Sequence, residues 1–278
     1  MPRLQHLELS MNTVKGEWLC DPDGLPQELC WCWDEGWPCL RRLDLRGVPA
    51  GPATWLLRGF LRVRGPQLHE LILSPGMQLN PRLMRLLKQC ARLNHLGVSC
   101  SNALWRLDGW TNLTSLTLLG LPRRHTATWV LRSPLAAKLE CLSLDGVNPS
   151  LFDVLPAVGS SCRNLHTISF QRCQVPARFA LPLAQCPLRE VRADNMRAEH
   201  VLEARRLPKL ECLRLSGHLG NYGSMMVAVT ALRDANPDLR VVGLEDGLFN
   251  NWGPGVQRAL ALSRPSSCTA ASRARTAS

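Results

Sequence analysis

The amino-acid sequence predicts an α/β fold: a right-handed solenoid with a parallel sheet on one side and helices on the other. Three observations predict it. The motif L-x-x-L-x-L, with Val, Ile, Phe or Ala in some slots, occurs ten times between residues 4 and 244, at starts 20 to 36 residues apart. One block is nearly copied, KLECLSLDG at 138–146 returning as KLECLRLSG at 209–217. Segments between blocks carry helix formers with apolar residues three and four apart. A block recurring with fixed apolar offsets marks stacked repeats, because one repeat cannot bury its apolar face alone.

In order, the blocks are LQHLEL from Leu4, LRRLDL from Leu40, LHELIL from Leu68, LNHLGV from Leu93, LTSLTL from Leu113, LECLSL from Leu139, LHTISF from Leu165, LREVRA from Leu188, LECLRL from Leu210 and LRVVGL from Leu239. Most intervals fall within or beside the roughly 20–29 residue period of leucine-rich repeats. The expected architecture is a leucine-rich-repeat horseshoe of about ten repeats, with a concave parallel sheet and convex helices. Helices are expected over 53–64, 81–90, 196–206 and 224–235, with Asn80 before Pro81 and Ser224 before Met225 as N-caps. The 20-residue step from Leu93 to Leu113 is too short for a full helix and predicts an irregular connection. One domain is expected over 1–262, with a Trp- and Cys-rich insertion at 20–39 and a disordered basic tail at 263–278.

Side chains alternate along a strand, so positions two, four and six after each opening leucine face outward onto the concave wall. Small or polar residues fill its middle, among them Ser99, Ser115, Thr117, Cys141, Ser143, Thr167 and Ser169. Mixed charge flanks them. The candidate partner-binding residues are Arg42, Asp44 and Arg46 near the start and Glu190, Arg192, Asp194 and Arg214 near the end. Glu70, Ile72, Ser74, Leu119 and Asp145 also fall on outward positions. Small residues leave room for a ligand's side chains, and charges of both signs orient a protein rather than attract a polyanion. Arg192 and Arg214 are the expected anchors, since arginine pairs bidentately with carboxylates.

The formal charge of +11 rests on arginine, lysine occurring only at Lys15, Lys88, Lys138 and Lys209. The outward wall holds four arginines against seven carboxylates, so the positive excess falls on the helical segments and the tail: Arg58, Arg62, Arg64, Arg82, Arg85, Lys88, Arg92, Arg123, Arg124, Arg205, Arg206, Arg273 and Arg275. Solvated helix faces account for such residues. With one Tyr, five Phe and no contiguous basic stripe in the sequence, nucleic acid is not an expected partner. No apolar run is long enough to span a membrane and no signal peptide is evident, which predicts a cytoplasmic or nuclear protein without a membrane partner.

Twelve cysteines are dense, but Cys90 and Cys162 precede a repeat leucine by three residues, and Cys141 and Cys212 share one slot. Repeat-locked thiols are expected to be reduced and buried. The insertion's C-x9-C-x-C-x6-C spacing does not suit a structural zinc site, so no metal is expected. Histidines are scattered, no base neighbours Cys141 or Cys212, and phosphate loops are absent, so no catalytic residue and no cofactor is expected.

Two stretches carry a cysteine on both sides of the strand motif, CARLNHLGVSC at 90–100 and CRNLHTISFQRC at 162–173; QCPLREVRADN at 185–195 has the leading one shifted by a residue. With the ending NPDLRVVGLEDG at 236–247, these resemble repeats of the ribonuclease-inhibitor-like superfamily and, more narrowly, of F-box/leucine-rich-repeat proteins. The resemblance implies a non-enzymatic recognition module, the substrate receptor of an SCF-type ubiquitin ligase where an F-box precedes the repeats. Here the first block opens at Leu4, and LPQEL at 25–29 is read as unrelated to an F-box opening. A free-standing scaffold or inhibitor is the alternative.

Overall fold

The computed structural model describes residues 4–10, 38–77, 79–99, 110, 112–120, 133–146, 151–217 and 222–242. The chain divides into two compact units, Met1–Val241 and Val242–Ser278, and the described residues apart from Val242 belong to the first. Most of the insertion at 20–39, the connection at 100–109 and the tail lie outside the described residues.

Among the described residues ten strands form a single parallel sheet in sequential order: β1 His6–Ser10, β2 Arg42–Gly47, β3 Glu70–Ile72, β4 His95–Ser99, β5 Ser115–Leu119, β6 Cys141–Asp145, β7 Thr167–Gln171, β8 Glu190–Asp194, β9 Cys212–Ser216 and β10 Arg240–Val242. The first nine begin two residues after the leucine that opens a block. Pairing puts Leu43, Leu71, Leu96, Leu116, Leu142, Ile168, Val191 and Leu213 in one row across the sheet, each at most 1% exposed. A one-residue slip of any strand would turn its whole apolar set outward, so the leucine spacing determines the register.

The apolar face of the sheet shares one core with six helices among the described residues: α1 Ala50–Arg64, α2 Pro81–Lys88, α3 Leu151–Ser161, α4 Ala180–Leu183, α5 Ala198–Glu203 and α6 Tyr222–Ala235. Asn80 caps α2 as expected, its side-chain oxygen accepting from the Leu83 N–H at 2.9 Å. Ser224 does not cap α6. That helix opens at Tyr222, two residues earlier, leaving Ser224 in its first turn; burial of Met225, Ala228, Val229 and Leu232 at helical spacing sets its position.

Helix α3 carries an internal proline, Pro156, and α4 is a single turn containing Pro182, which disguises both in the sequence. Burial of Val154, Leu155 and Val158 outweighs the hydrogen bond that Pro156 cannot donate. Gly159 lets the two helices touch, since a Cβ there would stand 1.8 Å from the Pro182 carbonyl oxygen.

The residue after each of β5 to β9 is left-handed: Gly120 (φ 48°), Gly146 (68°), Arg172 (51°), Asn195 (61°) and Gly217 (74°). The N–H groups of Gly120, Gly146 and Asn195 donate to the last carbonyl of the following strand at 2.8 to 2.9 Å. Glycine and asparagine tolerate this conformation, whereas a long side chain is strained in it. Arg172 holds it for another reason.

Candidate functional site

The sheet face away from the helices carries the outward rows. In one row Cys141, Thr167, Glu190 and Cys212 are neighbours; in the next, Ser143, Ser169, Arg192 and Arg214. Not every outward position is accessible. Asp44, Ile72, Ser74, Leu119 and Asp145 are buried, as are Thr117 and Ser169. One ion pair reports how this face curves. Arg46 Nη1 lies 3.8 Å from Asp145 Oδ2, although β2 and β6 are four strand intervals apart. In a flat sheet that interval is about 19 Å, beyond the combined reach of the two side chains, so the sheet bends toward this face between β2 and β6.

Buried carboxylates at the bend are neutralised by arginines. Asp44 accepts from the backbone N–H of Arg46 at 3.0 Å and from its guanidinium at 2.8 to 3.1 Å, and this hydrogen bonding raises the Arg46 pKa. Arg172 donates Nε and Nη2 to the two oxygens of Asp145, each at 2.7 Å, while its backbone N–H donates to Asp194 at 2.8 and 3.0 Å. Arg42 pairs with Glu70 at 3.1 Å. His95, whose pKa burial lowers, sits within hydrogen-bonding distance of Thr117 (3.0 Å) and Ser115 (3.3 Å).

Past the bend lies a second cluster. Glu190 accepts from Arg192 Nη2 at 2.9 Å and from Arg214 Nε. Arg192 and Arg214 are register partners on β8 and β9, so two like charges stand side by side and Glu190 offsets their repulsion. The Arg192 hydrogen bond, with that of Arg214, holds the Glu190 carboxyl below the usual carboxylate range despite partial burial. Both guanidiniums remain about half exposed, at 53% and 52% of the side chain, against 18% for Glu190.

The seven sequence-predicted residues therefore separate. Glu190, Arg192 and Arg214 form one cluster. Asp44, Arg46 and Asp194 join a chain that runs through Asp145 and Arg172, neither of which was a predicted site residue. Arg42 stands with Glu70. The signal for Arg172 lay in the repeat alignment: it fills a slot that neighbouring repeats give to Gly or Asn.

Among the described residues, no group of His, Cys, Asp or Glu is placed to hold a metal ion, and no helix is long and apolar enough to cross a membrane. Burial pushes the Cys212 thiol above its ordinary value, away from the thiolate a nucleophile needs. A cavity of about 50 Å³ lined by Leu87, Lys88, Cys90, Leu93, Trp110 and Asn112 is far below the size of a small-molecule site. Comparison with protein-family models and with curated proteins finds no match for this chain.

Proposed function

We propose that the chain is a leucine-rich-repeat recognition module of horseshoe form, non-enzymatic, which holds a protein ligand on the sheet face away from the helices. The observation that carries this reading is the Glu190 cluster. Arg192 and Arg214, half-exposed, are oriented in advance by a shared carboxylate, so little side-chain freedom is lost when a ligand's carboxylate or backbone carbonyl meets them. The small side chains of Thr167, the register partner of Glu190, and of Ser143, one strand further on, leave space for ligand side chains. Within this reading, the buried cysteines ahead of the repeat leucines, Cys90, Cys162 and Cys186, support the narrower one of a ubiquitin-ligase substrate receptor. A free-standing scaffold or inhibitor uses the same face.

The test is affinity capture from cell lysate with the wild-type chain and an Arg192→Ala/Arg214→Ala variant of unchanged melting temperature, followed by binding measurements with the purified protein recovered. Affinity at least ten-fold weaker for the variant is expected. Equal affinity removes the cluster from the interface. Cullin-ligase subunits captured together with the ligand would favour the substrate-receptor form, and a ligand captured without them the scaffold.

A further inference from the structure

We infer that the solvent face of α1 and α2, on the other side of the sheet from the Glu190 cluster, is an electrostatic docking surface for the phosphate backbone of a nucleic acid. The charge of this chain is strongly polarised. Residues 38 to 99 hold ten Arg or Lys against two carboxylates, a surplus of eight out of the chain's eleven. Both carboxylates, Asp44 and Glu70, lie on the sheet face, engaged with Arg46 and Arg42. The helical side keeps cations alone.

Helical periodicity gathers them. On α1, Trp55, Arg58 and Arg62 stand three and seven residues apart on the face opposite buried Ala53, Leu57, Phe60 and Leu61. On α2, Arg82, Arg85 and Lys88 follow one another at three-residue steps opposite Leu83, Met84 and Leu87, and Arg92 follows just beyond the helix. Arg62, Arg82, Arg85, Lys88 and Arg92 are exposed and Arg58 is half-buried. Among the described residues none of these six is paired with a carboxylate. The two helices pack against each other, which merges rows from successive repeats into one patch. At about 1.5 Å per residue each row is about 10 Å long, enough to meet several phosphates. The contiguous stripe missing from the linear sequence is assembled by the helix layer.

The chemistry favours a phosphodiester over other polyanions. Five of the six cations are arginines, whose fork matches phosphate oxygens, and Trp55, 36% exposed beside them, offers a stacking surface for a base. A bilayer would require an apolar stripe for insertion, and the exposed large apolar side chains of α1 are Trp55 and Val63 alone. An acidic protein segment would match the charge but offers no base to stack on Trp55.

The test is fluorescence anisotropy of the full chain with a labelled RNA of about 20 nucleotides and a labelled DNA duplex of similar length, over a salt series. Binding is expected in the micromolar range, weakening with salt at a log–log slope of about −3 to −5. An Arg62→Gln/Arg82→Gln/Arg85→Gln variant, which keeps good helix formers and the tail intact, should bind at least ten-fold more weakly with a shallower slope. The Arg192→Ala/Arg214→Ala variant should bind like wild type. No binding to either probe, or equal binding by the triple variant, overturns the proposal. So does equal or tighter binding to phosphatidylserine vesicles or to polyglutamate. Salt-independent binding by the wild-type chain overturns it without any variant.

Discussion

Arg172 and Asp145 form a bidentate pair, two N–H···O contacts of 2.7 Å, across the boundary between two repeats, and Arg172 makes it from a left-handed backbone with φ 51°. The carboxylate side chain is 1% exposed and the guanidinium 72%. Removing the exposed partner would leave a buried charge whose remaining ion-pair partner among the described residues is Arg46 at 3.8 Å. Arg172→Ala is therefore expected to destabilise the fold by about 1–3 kcal/mol in urea titration. In an Asp145→Asn background the same substitution should cost less than half as much. Arg172→Gly should recover about 1 kcal/mol relative to Arg172→Ala, because glycine relieves the left-handed backbone. Equal losses in both backgrounds would show that the pair stabilises nothing.

Two glycines in helices should respond oppositely to alanine. A Cβ at Gly159 would stand 1.8 Å from the Pro182 carbonyl oxygen, backbone that cannot turn aside, so Gly159→Ala should cost about 2 kcal/mol or more by driving α3 off α4. A Cβ at Gly51, in the first turn of α1, meets nothing within 4 Å, and Gly51→Ala should be neutral or stabilising by up to about 1 kcal/mol. Thermal melts of the two variants beside wild type decide the point.

Stability should fall with acid in two windows. Burial depresses the folded pKa of His200, whose Nδ1 accepts the Arg197 N–H at 3.0 Å, and that of His95. A depressed folded pKa means that the stability these groups contribute is complete above the ordinary histidine value of about 6.5 and is lost as pH falls through the folded values. The second window belongs to Glu190, held down first by the Arg192 hydrogen bond. Its contribution is complete above the unfolded value of 4.5 and disappears as pH drops through the lower folded one. His200→Gln should flatten part of the first window and Glu190→Gln the second, as read by the denaturation midpoint between pH 8 and 3. A wild-type midpoint that rises on acidification would contradict both signs.

Thiol reactivity should follow burial. Burial raises Cys90 and Cys186 to about 11, and raises Cys162, with Cys186 nearby, to about 12, while Cys39 is exposed. With iodoacetamide near pH 8, Cys39 should be modified within minutes and the other three only after denaturation, as followed by mass spectrometry. Prompt native-state labelling of Cys162 would mean that the helix layer over it opens.

The motif spacing determined a great deal by itself. Leucines at positions four and six of each block, two residues apart, share one face only if that stretch is a strand, with the opening leucine packed just ahead of it, and blocks 20 to 36 residues apart leave room for a return crossing, so the parallel sheet, its order and its register follow from the linear pattern. Asn80 was legible because an N-cap is a local device. Helices α3 and α4 were not: Pro156 opposes α3 locally and burial of Val154, Leu155 and Val158 overrides it, while the four residues of α4 are too few to show a helical period. Nor could the sequence tell that outward Asp44 and Asp145 are buried, that Arg46 reaches across four strand intervals, or that Arg172, just past its strand, holds Asp145. Those relations depend on the bend of the sheet, and the joined basic rows of α1 and α2 on the packing of successive repeats. Periodicity specifies which way a side chain points; the distance between side chains on non-adjacent strands is a property of how the layers curve, and only the tertiary structure decided it.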